Sequence, residues 1–372
     1  MPGSTLPPFP DDVRTHPLLI IDYKLIQAGD VEEVNRLWEA ATTLGFWYLM
    51  NHGADQEVSD MFDMGVETMT LPLEERMKFE QGDKGQSFGY KKAGANAIDA
   101  TGRSLDTVEF INVSKDDALA YPRVVHRTYP STVNARMENT IAPFVRKGLE
   151  VTYVMLNIFN DKLGLPQGTL ERLNGMEEHS CSETRCIRNP PTQVKEAMER
   201  AAIGAHTDFG SLSFLHNRLG GLQVMPPGHH EWSYIRPIPG HAICNIGDAL
   251  SLFSGGILQS NIHRVVPPPG AQAEYERWSL VFFTRPGNSK VLRALVESSP
   301  IIADAVKKQP DRNFETGSTA AEWFARRIRN QRINNRTVGI SSALWWMRLR
   351  IISQGPETWA ASRGTEHTPT VV

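Results

Sequence analysis

Short apolar runs separated by glycine and proline fill residues 184–284, and this pattern limits the fold more than any other feature of the chain. Runs such as 212–215 and 280–283 are rich in bulky side chains and bounded by turn residues, which is typical of strands. Many short strands in succession predict an all-β barrel or sandwich. We therefore expect an α+β protein with a mostly β core.

The region before this core predicts several helices. Apolar residues recur at helical spacing over residues 31–44, with Asp30 as a suitable N-cap, and again over 55–69 and 133–163. Leu71-Pro72 starts a shorter helix. The remaining predictions are short strands at 18–22 and 46–50 and a long loop at 82–103, near the mouth of the site.

The candidate metal ligands are His206, Asp208 and His263. In an extended strand residues two apart point to the same side, so the side chains of His206 and Asp208 would converge, and a later strand would return His263 to meet them. Two imidazoles and one carboxylate can occupy one face of a ferrous ion, which leaves the other face open for dioxygen and a second reactant. Asp248, in Asn-Ile-Gly-Asp, is the competing carboxylate, and we interpret it as capping a turn or bonding to nearby backbone.

A candidate anion clamp lies fourteen residues after His263, where Arg277-Trp278-Ser279 opens an apolar run. Arg277 and Ser279 are also two apart and would face the same way in a strand. A guanidinium fork and a hydroxyl on one face suit a carboxylate. An inward-pointing arginine needs such a partner, because an unpaired buried guanidinium is unfavourable.

With these motifs the chain resembles the non-haem Fe(II), 2-oxoglutarate-dependent dioxygenases of the isopenicillin N synthase-like group, and among them fungal members that tailor secondary metabolites. The resemblance extends over about residues 17–287. Besides the two motifs it rests on five blocks, at 17–22, 45–53 (Gly-Phe-Trp-Tyr-Leu-Met-Asn-His-Gly), 71–78, 220–224 and 245–248.

The resemblance implies a double-stranded β-helix, or jelly roll, flanked by N-terminal and C-terminal helices. It implies that His206, Asp208 and His263 hold Fe(II) and that Arg277 and Ser279 hold the distal carboxylate of 2-oxoglutarate, with dioxygen as the other co-substrate. Oxidative decarboxylation to succinate and carbon dioxide would then drive hydroxylation, desaturation or ring formation on a small, apolar metabolite in secondary-metabolite biosynthesis.

We divide the chain accordingly into four regions. These are an N-terminal dioxygenase region (1–130), a long supporting helix with a linker (131–180), the jelly-roll domain (181–287) and a C-terminal helical extension (288–372). In the extension, residues 318–332 predict a helix. Residues 338–354 could lie on a membrane surface, cover the barrel, cap the pocket, or be a retained in-frame intron.

One stretch departs from the family pattern. Many plant members have Asn-Tyr-Tyr-Pro before the H-x-D motif, and a tyrosine there helps to hold 2-oxoglutarate. This chain has Arg188-Asn189-Pro190-Pro191 instead. Arg188 or Asn189 could donate to the C1 carboxylate of 2-oxoglutarate or to the substrate, or both could only cap the turn at Pro190-Pro191.

Two other functions stay open. An oxidase of the same fold would bind the substrate's own carboxylate at Arg277 and Ser279 and would not consume 2-oxoglutarate, so the release of succinate distinguishes it from a dioxygenase. A non-catalytic binding protein could also use this scaffold, although it has no need to keep all three metal ligands.

Composition excludes several classes of protein. A formal net charge of -3 gives no support to nucleic-acid binding, and no stretch reaches the ~18 apolar residues that span a bilayer. Cys181, Cys186 and Cys244 form neither an even-numbered framework nor a zinc-type spacing, and the N-terminus lacks a secretory apolar segment. We expect a cytoplasmic enzyme whose partner is a small molecule, and the sequence does not predict its oligomeric state.

Overall fold

Two facing β-sheets form the core, and most of the helices pack on the outside of the larger one. The structure is a computed structural model that describes residues 6–98, 104–191 and 201–335. The strands are β1 (Ile20–Asp22), β2 (Phe46–Met50), β3 (Gly89–Lys91), β4 (Glu109–Ser114), β5 (Glu183–Asn189), β6 (Ile203–His206), β7 (Leu212–Asn217), β8 (Leu222–Val224), β9 (Ser233–Tyr234), β10 (Ala242–Ile246), β11 (His263–Val265), β12 (Arg277–Thr284), β13 (Val291–Arg293) and β14 (Glu315–Thr319). The α-helices are α1 (Tyr23–Gln27), α2 (Val31–Thr43), α3 (Asp55–Thr70), α4 (Leu73–Met77), α5 (Lys115–Ala120), α6 (Ser131–Asn134), α7 (Ala142–Lys162), α8 (Thr169–Leu173), α9 (Asp248–Phe253), α10 (Pro300–Lys307) and α11 (Ala320–Gln331).

The larger sheet has the order β1-β2-β10-β7-β12-β5-β4-β3, and the smaller sheet has the order β6-β11-β8-β9. Together they form the predicted double-stranded β-helix. Strands β1 to β4, from the first 130 residues, extend the larger sheet at both of its edges, so the N-terminal region and the jelly roll share one sheet. The domain boundaries at 130, 180 and 287 stay predictions.

Helices α3 and α7 cover the outer face of the larger sheet, where the main apolar cluster includes Phe144 and Phe282. Two glycines permit the close approach of helix and sheet. A Cβ at Gly148 would lie 2.6 Å from the Phe282 ring, and a Cβ at Gly65 would lie 2.8 Å from Cys186 Sγ. A larger residue at either glycine would push its helix away from the sheet.

The inner face of the larger sheet is less densely filled. Ile187 of β5 and Val281 of β12 pack there with Val265 of β11 in a smaller apolar cluster. Leu215 and Phe283, on the same face, are only partly buried. Accessible space therefore remains between the two sheets, next to the strands that carry His206 and His263.

The structure confirms most predicted elements in the N-terminal half and corrects two. Asp30 accepts a hydrogen bond from Glu33 N at 2.9 Å and caps α2 as predicted. The helix expected over 133–163 is wrong in its first part, because α6 and a π-helical turn (Met137–Ile141) precede α7. Pro143 lies in the first turn of α7, where its missing N–H is tolerated. The loop expected at 82–103 contains β3, which pairs with β4.

The C-terminal region holds both a confirmed and an unpredicted element. Thr319 caps α11 and forms a capping box with Glu322, which confirms the helix expected over 318–332. The antiparallel pair of β13 and β14 was not predicted. Residues 338–354 lie outside the described residues. Among the helices in the described ranges, none combines the length and the hydropathy that a membrane span requires.

Candidate active site

His206, Asp208 and His263 come together at the end of β6. His206 is the last residue of β6 and pairs in antiparallel register with His263, the first residue of β11. The Nε2 atoms of His206 and His263 lie 3.9 and 3.7 Å from Asp208 Oδ1. All three ligand atoms lie within 4.8 Å of one another, and both distances to Asp208 Oδ1 fall within the ~4.2 Å that two metal–ligand bonds of about 2.1 Å can span.

Asp208 does not reach this site in the predicted way. Strand β6 ends at His206, so Asp208 lies beyond the strand and side-chain alternation does not orient it. The chain turns instead, and the turn is held by the start of α9. Asp248 N donates to Asp208 O at 2.8 Å, and Ala249 N donates to Gly210 O at 3.0 Å.

Both imidazoles present the same nitrogen to the site. Nδ1 of His206 lies 2.8 Å from Gly204 O, and Nδ1 of His263 lies 3.2 Å from Asn261 O. Because a carbonyl oxygen only accepts, each Nδ1 carries the proton and each Nε2 keeps its lone pair for a metal. Burial and the neighbouring His263 lower the pKa of His206 to about 4, so its ring is neutral at physiological pH.

The Asp208 carboxylate is held so that one oxygen faces the histidines. Its Oδ2 accepts hydrogen bonds from Ser213 Oγ at 2.6 Å and from Asn245 Nδ2 at 2.8 Å, which leaves Oδ1 for a metal. Burial alone would raise the pKa of Asp208, but the two imidazoles and these hydrogen bonds lower it to about 2. Our sequence reasoning missed Ser213 and Asn245, which pair across β7 and β10. The sequence signal that could have identified each of them is a polar residue within an otherwise apolar strand.

Arg277 and Ser279 lie side by side between the sheets, as predicted. Arg277 Nη1 donates to Ser279 Oγ at 2.5 Å, and its Nε donates to Gly220 O at 2.6 Å. The Arg277 guanidinium is buried, and no carboxylate of the described residues pairs with it. Burial lowers the pKa of Arg277 to about 10. A buried cation without a counter-ion suits a ligand that brings its own carboxylate.

Comparison with known proteins identifies the family to which this chain belongs. The 2OG-Fe(II) oxygenase superfamily matches residues 180–286, and the N-terminal family described as non-haem dioxygenase in morphine synthesis matches residues 18–133. A 2-oxoglutarate-dependent dioxygenase of Aspergillus fumigatus is 26% identical over 332 residues, which cover 80% of this chain and 83% of the relative. Homoarginine-6-hydroxylase of Oryza sativa subsp. japonica is 30% identical over 261 residues, which cover 67% of this chain and 76% of the relative. The chain belongs to the 2OG-Fe(II) oxygenase superfamily.

The oxygenase also shares its fold with solved structures. A full-length Neurospora crassa protein in complex with alpha-KG matches it with a TM-score of 0.69 at 19% identity, over 87% of this chain and 99% of that chain. JOX2 in complex with 2OG, Fe and JA matches with a TM-score of 0.64 at 19% identity, over 99% and 95%. The predicted fold and reaction class are both confirmed: the chain is an Fe(II)- and 2-oxoglutarate-dependent dioxygenase.

Arg188 and Asn189 of the oxygenase are neighbours on β5 and point to opposite faces of the sheet. Asn189 pairs with Arg277 across the strands, and its buried Nδ2 has no hydrogen-bond partner in the described part of the chain. Arg188 forms ion pairs with Glu109 and Glu276. The structure thus brings Asn189 to the anion clamp. It places Arg188 away from the clamp, because successive side chains of a strand alternate.

Asp248 supports the turn that carries His206 and Asp208, two of the candidate metal ligands of the oxygenase. Its carboxylate accepts hydrogen bonds from Thr207 Oγ1 at 2.9 Å and from Ser260 Oγ at 2.7 Å, and it forms a buried ion pair with Arg327. It therefore bonds to side chains rather than to nearby backbone as we expected. Our sequence reasoning missed Arg327 in this role, because the two partners lie on α9 and α11.

A second group of metal-ligand types lies outside the core of the oxygenase. The ligand atoms of Asp116, His126 and His179 lie within 4.8 Å of one another. Asp116 already accepts hydrogen bonds from His126 Nε2 at 2.9 Å and Ser180 N at 3.1 Å, and Lys115 Nζ lies 2.7 Å from its other oxygen. Since a cation and several donors satisfy this carboxylate, we interpret the group as a structural anchor.

Proposed function

We propose that the oxygenase holds Fe(II) through Nε2 of His206, Nε2 of His263 and Oδ1 of Asp208, and that Arg277 and Ser279 bind the distal carboxylate of 2-oxoglutarate. The observation that carries this proposal is the buried Arg277 guanidinium, which lies between the same two sheets as the three ligands and has no carboxylate partner among the described residues. 2-Oxoglutarate has a carboxylate at each end, so one end can meet Arg277 while the other reaches the metal.

The residues of the chain contribute position rather than redox chemistry. When bound, Fe(II) supplies the chemistry that couples oxidative decarboxylation of 2-oxoglutarate to oxidation of a substrate C–H bond. The carbonyl groups of Gly204 and Asn261 fix the tautomers of the two imidazoles, and Ser213 and Asn245 hold one oxygen of Asp208 away from the metal position. Apolar side chains of the inner face line the remaining space.

Asn189 adds a donor to the proposed 2-oxoglutarate site. Its Nδ2 is buried without a partner in the described ranges, and it lies directly across from Arg277. An unpaired buried amide is unfavourable by about 1–3 kcal/mol, and a carboxylate oxygen at the clamp would relieve this. We propose that Asn189 takes the part that tyrosine has in the plant pattern.

We infer that the substrate is a small metabolite with a largely apolar body. Support comes from the inner face, where Leu215 and Phe283 are partly exposed beside the candidate metal centre. The likeness to a fungal dioxygenase supports a role in fungal secondary-metabolite biosynthesis. The unpaired Cys181, Cys186 and Cys244 suit a reducing compartment, and we assign the enzyme to the cytoplasm.

An anaerobic titration with Fe(II) and 2-oxoglutarate tests the ligand assignment. A metal-to-ligand absorption band should develop in the wild-type protein and be absent in His206→Ala. Arg277→Leu should still bind Fe(II) but require much more 2-oxoglutarate to develop the band. Arg188→Gln should behave like the wild type. A normal band in His206→Ala would refute the assignment.

A metabolite-panel screen for succinate release under air identifies the substrate. A dioxygenase releases one succinate for each substrate oxidised. Substrate oxidation without succinate would contradict the assignment of Arg277 to 2-oxoglutarate.

A further inference from the structure

Arg185 lies on the inner face of β5, in the layer of side chains next to the candidate metal centre. It shares this face with Ile187, whereas Cys186 between them faces the helices. The guanidinium is sandwiched by two rings, because its Cζ lies 4.3 Å from the ring centre of Phe110 and 5.0 Å from that of Phe283. The Arg185 side chain is nevertheless 17% exposed, so it borders the open space between the sheets.

Two contacts connect this guanidinium to the metal centre. Phe283, which stacks on Arg185, pairs across the strands with Ser213. Ser213 Oγ in turn donates to Asp208 Oδ2 at 2.6 Å. In the strand register Glu183 lies opposite Phe283, and Arg185 is the next inward-facing residue of β5. Because neighbouring strands are about 4.8 Å apart, β5 lies roughly two such spacings from β7, which carries Ser213. A molecule with one carbon near the metal would have its other end within reach of Arg185.

One nitrogen of the Arg185 guanidinium, Nη1, has no acceptor among the residues that the structure describes. The Nε of Arg185 donates to Asn112 Oδ1 and its Nη2 to Glu183 Oε1, both at 2.8 Å. Glu183 is fully buried and is shared with Arg285, whose Nη2 donates to the same oxygen at 3.1 Å. Two guanidinium groups therefore meet one carboxylate.

The cluster of Arg185, Arg285 and Glu183 carries a surplus positive charge. Burial alone would raise the pKa of Glu183, but Arg285 and Arg185 outweigh burial and lower it, so the carboxylate stays charged. Among the described residues, no carboxylate other than Glu183 bonds to either guanidinium. The buried cations Lys91 and Arg327 differ, because each pairs with a carboxylate of its own, Asp106 and Asp248 respectively. A buried charge without full compensation is unfavourable, and an anionic ligand would compensate it.

We propose that Arg185 binds a carboxylate group of the substrate and so orients an otherwise apolar molecule toward the metal centre. This inference rests on the proposed function of the same site. A carboxylate matches the single surplus charge and can accept a charge-assisted hydrogen bond from Nη1. The rings of Phe110 and Phe283 suit the apolar body beside it. Arg277 is reserved for 2-oxoglutarate, whereas Arg185 contacts the molecule that is oxidised.

Calorimetric titration with matched probes tests this proposal without turnover. The protein is first loaded with Mn(II) and saturating 2-oxoglutarate, so that Arg277 is occupied. It is then titrated with phenylacetate, 4-phenylbutyrate and 1-naphthoate, and with the primary amide of each. At least one carboxylate should bind about tenfold more tightly than its amide, as expected for a charge-assisted pair in place of a neutral one. Equal affinities in every pair, or no carboxylate binding, would overturn the proposal.

Variants assign the preference to Arg185. Arg185→Gln should remove the preference for carboxylate but keep the affinity for amide, and Arg185→Lys should keep part of the preference. Glu183→Gln should strengthen carboxylate binding, because it removes the anion that competes for Arg185. Arg188→Gln is the matched control, since it removes a guanidinium from the opposite face of the same strand. A preference that persists in Arg185→Gln would refute the proposal. If that variant does not fold, an unchanged preference in both Arg185→Lys and Glu183→Gln would also refute it.

If the proposed function itself is wrong, the same calorimetric experiment will give a different result. If His206, Asp208 and His263 do not hold the metal, Mn(II) and 2-oxoglutarate will give no saturable binding heat before any probe is added. If only the present inference fails, this loading step will be normal and the probes will show no preference for carboxylate.

Discussion

Arg327 on α11 and Asp248 at the start of α9 form a buried ion pair in which the closest atoms lie 2.5 Å apart. The same carboxylate accepts a hydrogen bond from Thr207, the residue between the first two metal-ligand candidates. The Arg327 guanidinium also lies 3.8 Å from the ring centre of Phe209, which follows them. The C-terminal helix therefore holds the H-x-D turn on both sides.

Breaking this pair should weaken both stability and metal binding. Arg327→Gln leaves Asp248 buried without its counter-ion, which lowers the free energy of unfolding by about 3–5 kcal/mol. It also loosens the turn that carries Asp208. Urea unfolding of the metal-free protein measures the first effect, and anaerobic Fe(II) titration measures the second. Arg329→Gln, on the exposed side of the same helix, is the control. Equal effects of the two variants would contradict the role of the pair.

Replacing Arg277 should raise the KM for 2-oxoglutarate and leave the affinity for Fe(II) nearly unchanged. Loss of one partner of a buried charge pair costs at least ~2 kcal/mol, so Arg277→Leu should raise this KM by about thirtyfold or more. Ser279→Ala loses a single hydrogen bond and should raise it by about fivefold. Succinate release at varied 2-oxoglutarate concentration gives both values. An Arg277→Leu enzyme with the wild-type KM would contradict the clamp.

Asn189→Asp should weaken 2-oxoglutarate binding more than Asn189→Ala does. The new carboxylate would lie across from Arg277 and compete with the co-substrate for the guanidinium, whereas alanine only removes a donor. Without co-substrate, Asn189→Asp should unfold at a higher temperature than Asn189→Ala, because the buried cation gains a partner. Thermal melts with and without 2-oxoglutarate measure both effects, and the reverse order of the two melting temperatures would contradict this prediction.

Stability should fall in mild acid because of buried histidines, among them His206 and the adjacent pair His52 and His216. The rings of His52 and His216 lie 5.2 Å apart, and burial lowers the pKa of both below the usual 6.5, with His52 lowering that of His216 further. Above pH 6.5 both states are neutral. As the pH falls below 6.5, the unfolded chain binds protons that the folded protein does not bind. This lowers the free energy of unfolding by up to about 1.4 kcal/mol per pH unit for each ring.

Thermal melts of the metal-free protein between pH 7.5 and 5.5 check this prediction. His216→Phe should flatten the decline in melting temperature, because it removes one of the buried rings whose pKa is lowered. His230→Phe, at an exposed position, should leave the decline unchanged. A decline that is the same in His216→Phe and in the wild type would show that the pH dependence has another origin.

Local patterns predicted elements best where one face of the element is buried. The apolar spacing of α2 and the cap at Asp30 agree with the structure, because a helix end is satisfied by residues only a few positions away. The long helix over 133–163 was less accurate, since the same apolar spacing continues through the π-helical turn before α7. Strand β3 escaped prediction because its three residues are stabilised by pairing with β4 rather than by their own pattern.

The residue types and their spacing establish the chemical character of the site: two imidazoles, one carboxylate, and a guanidinium with a hydroxyl two residues on. How these groups are oriented depends on the packing of distant elements. The turn held by α9 directs Asp208, and the pairing of β5 with β12 puts Asn189 beside Arg277. Likewise, the packing of α11 brings Arg327 to Asp248, 79 residues away along the chain. Strand register and long-range ion pairs depend on how whole elements pack, and no local stretch of sequence carries that information.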